Sequence, residues 1–111
     1  MADTRNTDTA IQRLYDTIAS RKGGDTRASY TAKLFDLGTE KIAQKLGEEA
    51  LETVIAAVAE NRDALIGESV DLLYHLLVAW ADAGISPEDI MIELERRKGT
   101  SGLVEKAGRD I

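Results

Sequence analysis

The chain contains no cysteine, which removes both disulfides and thiolate metal sites from consideration. It has one proline, one Phe, one Trp and one histidine, and aromatics make up 5% of its 111 residues. A core must therefore be built from Leu, Ile, Val and Ala, which suits packed helices. A single histidine cannot supply the two Glu-x-x-His motifs of a di-iron carboxylate bundle; His75 itself follows Leu72 at that spacing, not a glutamate. Positive charge is also scarce: 14 Lys and Arg face 20 Asp and Glu, a net charge of −6. That balance argues against non-specific binding to nucleic acid or to an anionic membrane. The longest nearly apolar run, Val70 to Ala81, is too short to span a bilayer and carries Asp71 and His75. The polar start, Met1 to Asp8, lacks the apolar centre of a signal peptide. The expectation is a soluble, cytoplasmic, single-domain protein, small enough that dimerising would usefully bury more apolar surface.

What is present reads as helices. Residues 1–7 read as a frayed tail, followed by an amphipathic helix carrying Ile11, Leu14, Tyr15, Ile18 and Ala19, capped at Thr7 or Asp8 and stopped by Gly23-Gly24. Asp25 to Gly38 reads as a loop with one short helical turn. A long helix is expected from Thr39 to about Glu60. At about 100° per residue, Ile42, Ala43, Leu46, Ala50, Leu51, Val54 and Val58 fill half its circumference, opposite Lys41, Lys45, Glu48, Glu49 and Glu52. Asn61-Arg62-Asp63 reads as a turn. The next helix, Ala64 to Ala83, is apolar nearly all round, as expected of one buried on every side. Ser86-Pro87-Glu88-Asp89 opens a last helix with Ile90, Leu94 and Met91 on its buried face. The fold class expected is all-α, an antiparallel helical bundle of four to five helices.

Two acidic clusters carry the chemistry. Glu48, Glu49 and Glu52 share one helix face, and Glu68 and Asp71 share another. A short connection packs these helices antiparallel and brings both sets to one level. Carboxylates among apolar neighbours are costly unless a cation meets them. Convergent carboxylates without thiolates or paired imidazoles suit Mg²⁺, with Mn²⁺ as the alternative. Such an ion keeps positions open for phosphate oxygens, and Lys41 and Lys45, one and two turns before the acids, lie where they can reach them. Taken alone, the first cluster also reads as a solvated helix face and the lysines as ordinary partners of nearby acids. Glu68 and Asp71, inside so apolar a helix, favour function. His75 reads as a satisfied hydrogen-bonding residue and not a ligand.

The segments Ser29-Tyr30-Thr31-Ala32-Lys33-Leu34-Phe35, Lys41-Ile42-x-x-Lys45-x-Gly47-Glu48-Glu49-Ala50-x-Glu52 and Asp71-Leu72-Leu73-Tyr74-His75-Leu76-Leu77 carry a resemblance. Glu-Glu-x-x-Glu followed by Glu-x-x-Asp resembles the signature of the all-α, MazG-like nucleoside triphosphate pyrophosphatases. The first and last of those segments, with the tail Glu93-Leu94-x-Arg96-Arg97-x-Gly99-x-Ser101-Gly102, resemble the phosphoribosyl-ATP pyrophosphatase family within it. Ser69 and Val70 depart mildly from that pattern, where Ala is common. The resemblance spans residues 8–109. It implies Mg²⁺-dependent hydrolysis between the α and β phosphates of phosphoribosyl-ATP, the second step of histidine biosynthesis. It also implies a homodimer and a metal site of Glu48, Glu49, Glu52, Glu68 and Asp71, which are the candidate catalytic residues as well. The implied substrate contacts are Ser29, Tyr30, Thr31, Lys33, Lys41, Lys45, Arg96 and Arg97. Two rivals stand beside this reading: a house-cleaning pyrophosphatase with the same site chemistry, and a non-catalytic helical module whose acids are surface charge.

Overall fold

The structure, a computed structural model, describes residues 2–98, with side chains from Ala10 onward. Five helices and no strand occur among them: α1 (Ala2–Ser20), α2 (Tyr30–Leu37), α3 (Thr39–Val58), α4 (Arg62–Ala83) and α5 (Pro87–Lys98). The all-α expectation is met. Of the tail segment that supported the family resemblance, Glu93 to Lys98 belong to α5 and the part from Gly99 onward lies outside the described residues.

Local chemistry accounts for most boundaries. Ser29, in extended conformation, accepts a hydrogen bond from the Ala32 amide at 3.0 Å and starts α2. Gly38, at φ 99, stops α2 and leads directly into α3. The single turn expected between Asp25 and Gly38 is in fact a helix of two turns that buries Ala32 and Leu34. Asn61 caps α4 by accepting from the Ala64 amide, so Arg62 and Asp63 form a first helical turn and not the turn expected there. Gly84, at φ 75, closes α4 in the left-handed conformation, with the Ile85 amide bonded to the Trp80 carbonyl. Ser86 and Asp89 cap α5 reciprocally: the Asp89 amide donates to Ser86 Oγ and the Ser86 amide to Asp89 Oδ2. At the other end of the chain, α1 begins at Ala2, ahead of the Thr7 or Asp8 cap expected after a frayed tail.

The α3–α4 hairpin is the backbone of the fold. Thr39 Oγ1 donates to Asp82 Oδ2 at 2.6 Å, and Thr53 Oγ1 lies 3.3 Å from the Glu68 carbonyl, which makes the pair antiparallel. Ile18, Leu34, Ile42, Leu77, Val78 and Ala81 form the buried core, contributed by α1, α2, α3 and the C-terminal half of α4. Each large side chain so buried stabilises by roughly 1.5–3 kcal/mol. By length and composition alone α4 could cross a membrane, which is weak evidence for a single helix; α1, α2 and α3 all pack on it.

The core occupies less of the hairpin than the sequence pattern suggests. Ile42 is buried, but Ala43, Leu51, Val54 and Val58 of the apolar half of α3 are exposed, and Val58 is 78% exposed. Ile55, beside them, is exposed too. Ile66 and Val70 are exposed, so α4 is not covered all round by the rest of the chain. On α5, Ile90 is half-buried while Met91 and Leu94 are exposed. Helical periodicity reports which faces are apolar and is silent on whether the same chain covers them.

Candidate metal centre

Glu49, Thr53 and Ala56, one turn apart along α3, are the positions of its second half turned toward α4. Opposite them on α4 stand Glu68 and Asp71. One carboxylate oxygen from each of Glu49, Glu68 and Asp71 lies within 4.8 Å of the others; Glu49 and Glu68 are half-buried and Asp71 is exposed. Loss of solvent raises the pKa of Glu68 first, followed by the negative charges of Glu52, Glu49 and Asp71 and a hydrogen bond with Glu49. Glu52 thus shares the field of the cluster from the next turn of α3. These four carboxylates repel one another unless a proton or a cation sits among them, and their hard oxygen atoms fit Mg²⁺ or Mn²⁺.

Glu48 goes elsewhere. It accepts from Gln44 Nε2 at 2.9 Å and pairs with Lys45 Nζ at 3.3 Å, and these two bonds hold its carboxyl below the usual range. Its neighbour Glu49 faces α4, and one residue of helix turns Glu48 about 100° away. Of the five expected ligands, Glu49, Glu68 and Asp71 converge, Glu52 reaches them only through its charge at Glu68, and Glu48 is bonded to Gln44 and Lys45.

The candidate substrate contacts gather partly at the same end. Glu48 and the nearby Tyr30 raise the pKa of Lys45, and Lys41 contributes to the field at Glu48. Ser29 caps α2, Thr31 Oγ1 is hydrogen-bonded to the Tyr74 hydroxyl, and Lys33 is exposed on α2. Arg96 and Arg97 are on α5, which packs on α1, and both donate to Glu93, at 2.7 Å and 2.8 Å.

His75 is 7% exposed. Its Nδ1 stands 2.9 Å from the Asp71 carbonyl, the bond expected of it, but its Nε2 is buried with no partner. The Tyr74 ring meets the imidazole edge-on at 4.9 Å and the Tyr30 ring at 6.4 Å. Tyr74, as the bridge from α4 to the start of α2, is a residue that sequence reasoning did not single out. A tyrosine in a Leu-rich helix offers no sign that its hydroxyl has a partner 43 residues away. A cavity of about 540 Å³ lined by Glu60, Asn61, Arg62, Leu65, Ile66, Ser69 and Val70 opens at the hairpin tip, without any of the clustered carboxylates in its wall.

The family model for phosphoribosyl-ATP pyrophosphohydrolase matches residues 11–98. This chain belongs to that family. Relatives named phosphoribosyl-ATP pyrophosphatase include one from Gluconobacter oxydans, 61% identical over 89% of this chain and 74% of the relative. Another, from Paramagnetospirillum magneticum, is 61% identical over 89% and 91% of the two chains. A third, from Azospirillum brasilense, is 54% identical over 98% of both. The protein is a hydrolase of this phosphoribosyl-ATP pyrophosphohydrolase family, and the matched span contains α2 to α5 and every carboxylate of the cluster.

Proposed function

We propose that this protein hydrolyses the α–β phosphoanhydride of phosphoribosyl-ATP, releasing phosphoribosyl-AMP and pyrophosphate, and so serves the second step of histidine biosynthesis. The observation that carries the reading is the convergence of Glu49, Glu68 and Asp71 within 4.8 Å, in a chain of this family. Glu49, Glu68 and Asp71, with Glu52 beside them, would hold Mg²⁺. When bound, the ion neutralises phosphate charge and makes a water more acidic. The chain's own groups do the rest. Lys41 and Lys45, on the neighbouring sector of α3, contact phosphate oxygens, and Glu48 steadies Lys45 for that task. The segment Ser29–Thr31 and Lys33 border the substrate from α2. A carboxylate of the first cluster takes the proton of the attacking water as the bond to the pyrophosphate leaving group breaks.

The working unit we propose is a cytoplasmic homodimer. Leu51, Val54, Ile55, Val58, Ile66 and Val70 leave an apolar surface at one end of the hairpin larger than single exposed residues need, and a second copy of the chain would cover it.

Pyrophosphate release tests the proposal, with phosphoribosyl-ATP, dUTP, dCTP and ATP as substrates, each with and without Mg²⁺. Turnover of phosphoribosyl-ATP that needs the metal, and its loss in a folded Asp71→Asn variant, is the expected result. Turnover of a deoxynucleotide instead would keep the metal chemistry and reject the substrate. An active Asp71→Asn variant would reject the site.

A further inference from the structure

A carbonyl oxygen only accepts, so the 2.9 Å contact between His75 Nδ1 and the Asp71 carbonyl places the ring proton on Nδ1. The neutral ring then carries a lone pair on Nε2, across the ring from that bond. Nε2 is buried and has no partner, the one such side-chain atom among the described residues. A buried acceptor without a donor is costly, and native folds seldom keep one without a use. Its surroundings point to the use. Glu68, Asp71 and His75 form one stripe on α4, at i, i+3 and i+7, so the imidazole lies one turn beyond the metal ligands on the same face. Around it stand the start of α2, with Tyr30 53% exposed, and Tyr74, whose hydroxyl is already engaged with Thr31. Phosphates held at the carboxylates leave the nucleoside half of a ligand to extend along this stripe.

We infer that His75 Nε2 accepts a hydrogen bond from the nucleoside half of the substrate, a ribose hydroxyl or an N–H donor, with the exposed Tyr30 ring yielding to admit it. This rests on the proposed nucleotide reading of the site. It makes His75 a specificity residue that works as a fixed acceptor and not as a metal ligand.

Because His75 is the only histidine, its ring nitrogens can be followed without ambiguity in ¹⁵N-labelled full-length protein with Mg²⁺ present. The expected result is an Nε2 resonance of a free lone pair in the unliganded protein. It should move upfield with saturating phosphoribosyl-AMP and stay in place with pyrophosphate alone. A resonance already at the hydrogen-bonded position and unmoved by ligand would assign the site to a trapped water and overturn the inference. So would no movement with phosphoribosyl-AMP, or equal movement with pyrophosphate. A His75→Phe variant keeps a ring and removes the acceptor. Its KM for phosphoribosyl-ATP should rise about tenfold, one hydrogen bond's worth, with kcat and the affinity for Mg²⁺ alone unchanged. A folded variant with unchanged KM would also overturn the inference. If the wild type releases no pyrophosphate from phosphoribosyl-ATP, the proposed reaction fails separately. The ¹⁵N experiment repeated with AMP then decides the acceptor site by the same shift or its absence.

Discussion

The two ends of the α3–α4 hairpin are built differently. At the end where α3 begins and α4 finishes, Ile42, Leu77, Val78 and Ala81 are sealed by α1 and α2, and Thr39 bonds Asp82 across the pair. At the end where α3 finishes and α4 begins, Leu51, Val54, Ile55, Val58, Ile66 and Val70 lie open. The carboxylates sit between the two. Like charges brought together need rigid support, because repulsion would otherwise part them, and only one end of the hairpin supplies that within a single chain. The difference teaches that the site is braced from the core side, and that its other side depends on what covers the open apolar end.

The contrast between Glu48 and Glu49 tests the bracing most severely. Glu49→Gln should reduce pyrophosphate release from phosphoribosyl-ATP by more than about a hundredfold, since even groups behind a metal ligand contribute 10- to 100-fold. Glu48→Gln should reduce it less than tenfold, because that carboxylate is occupied with Gln44 and Lys45 on another sector. Equal losses in the two variants would mean that the helix faces assigned here are not those used in catalysis. Next in size is the effect on assembly. Val58→Glu places a charge at the most exposed of the large apolar residues described, and sedimentation should show the proposed dimer replaced by a monomer with its helical content retained. A wild-type chain that sediments as a monomer would show that the open end is simply a surface.

Much of this was legible in the sequence, for physical reasons that differ by element. The cap at Ser86-Pro87 and the stop at Gly84 were readable because they act within a few residues, and the structure has them at those places. The two acidic clusters were readable because α-helical spacing fixes which carboxylates share a face. Glu48 was not separable from Glu49 on that basis: both belong to the charged half of α3, and only the position of α4 decides which one meets Glu68. Helix α2 was hidden because two turns give too few periodic positions, with Tyr30, Leu34 and Phe35 alone standing out from a polar stretch. The exposure of the apolar half of α3 is not legible for a third reason. Apolar periodicity is the same whether the covering surface comes from the same chain or from another.

The smallest effect expected is on stability, and it sharpens the comparison by separating the cluster from the rest of the charged surface. Glu68 has a raised pKa in the folded protein, so folding shifts its balance toward the protonated form. Without metal, its contribution is fully present below its unfolded pKa and is lost as pH rises through the raised folded value. Glu93 behaves oppositely. Arg96 and Arg97 lower its pKa to about 2, so its contribution is present above the ordinary carboxyl value of 4.5 and is lost as pH falls toward 2. Melting curves without metal should therefore show Asp71→Asn raising Tm by a few degrees at neutral pH, where one repelling charge has been removed, and hardly at all near pH 4. Mg²⁺ should raise the Tm of the wild type at neutral pH by mass action on the folded state. That gain should vanish as pH falls through the raised Glu68 value, because the proton and the cation compete for the same oxygens. An Mg²⁺ gain that persists in Asp71→Asn, or one that is independent of pH across the carboxyl range, would place the ion away from these carboxylates and leave the braced centre of the hairpin without its cation.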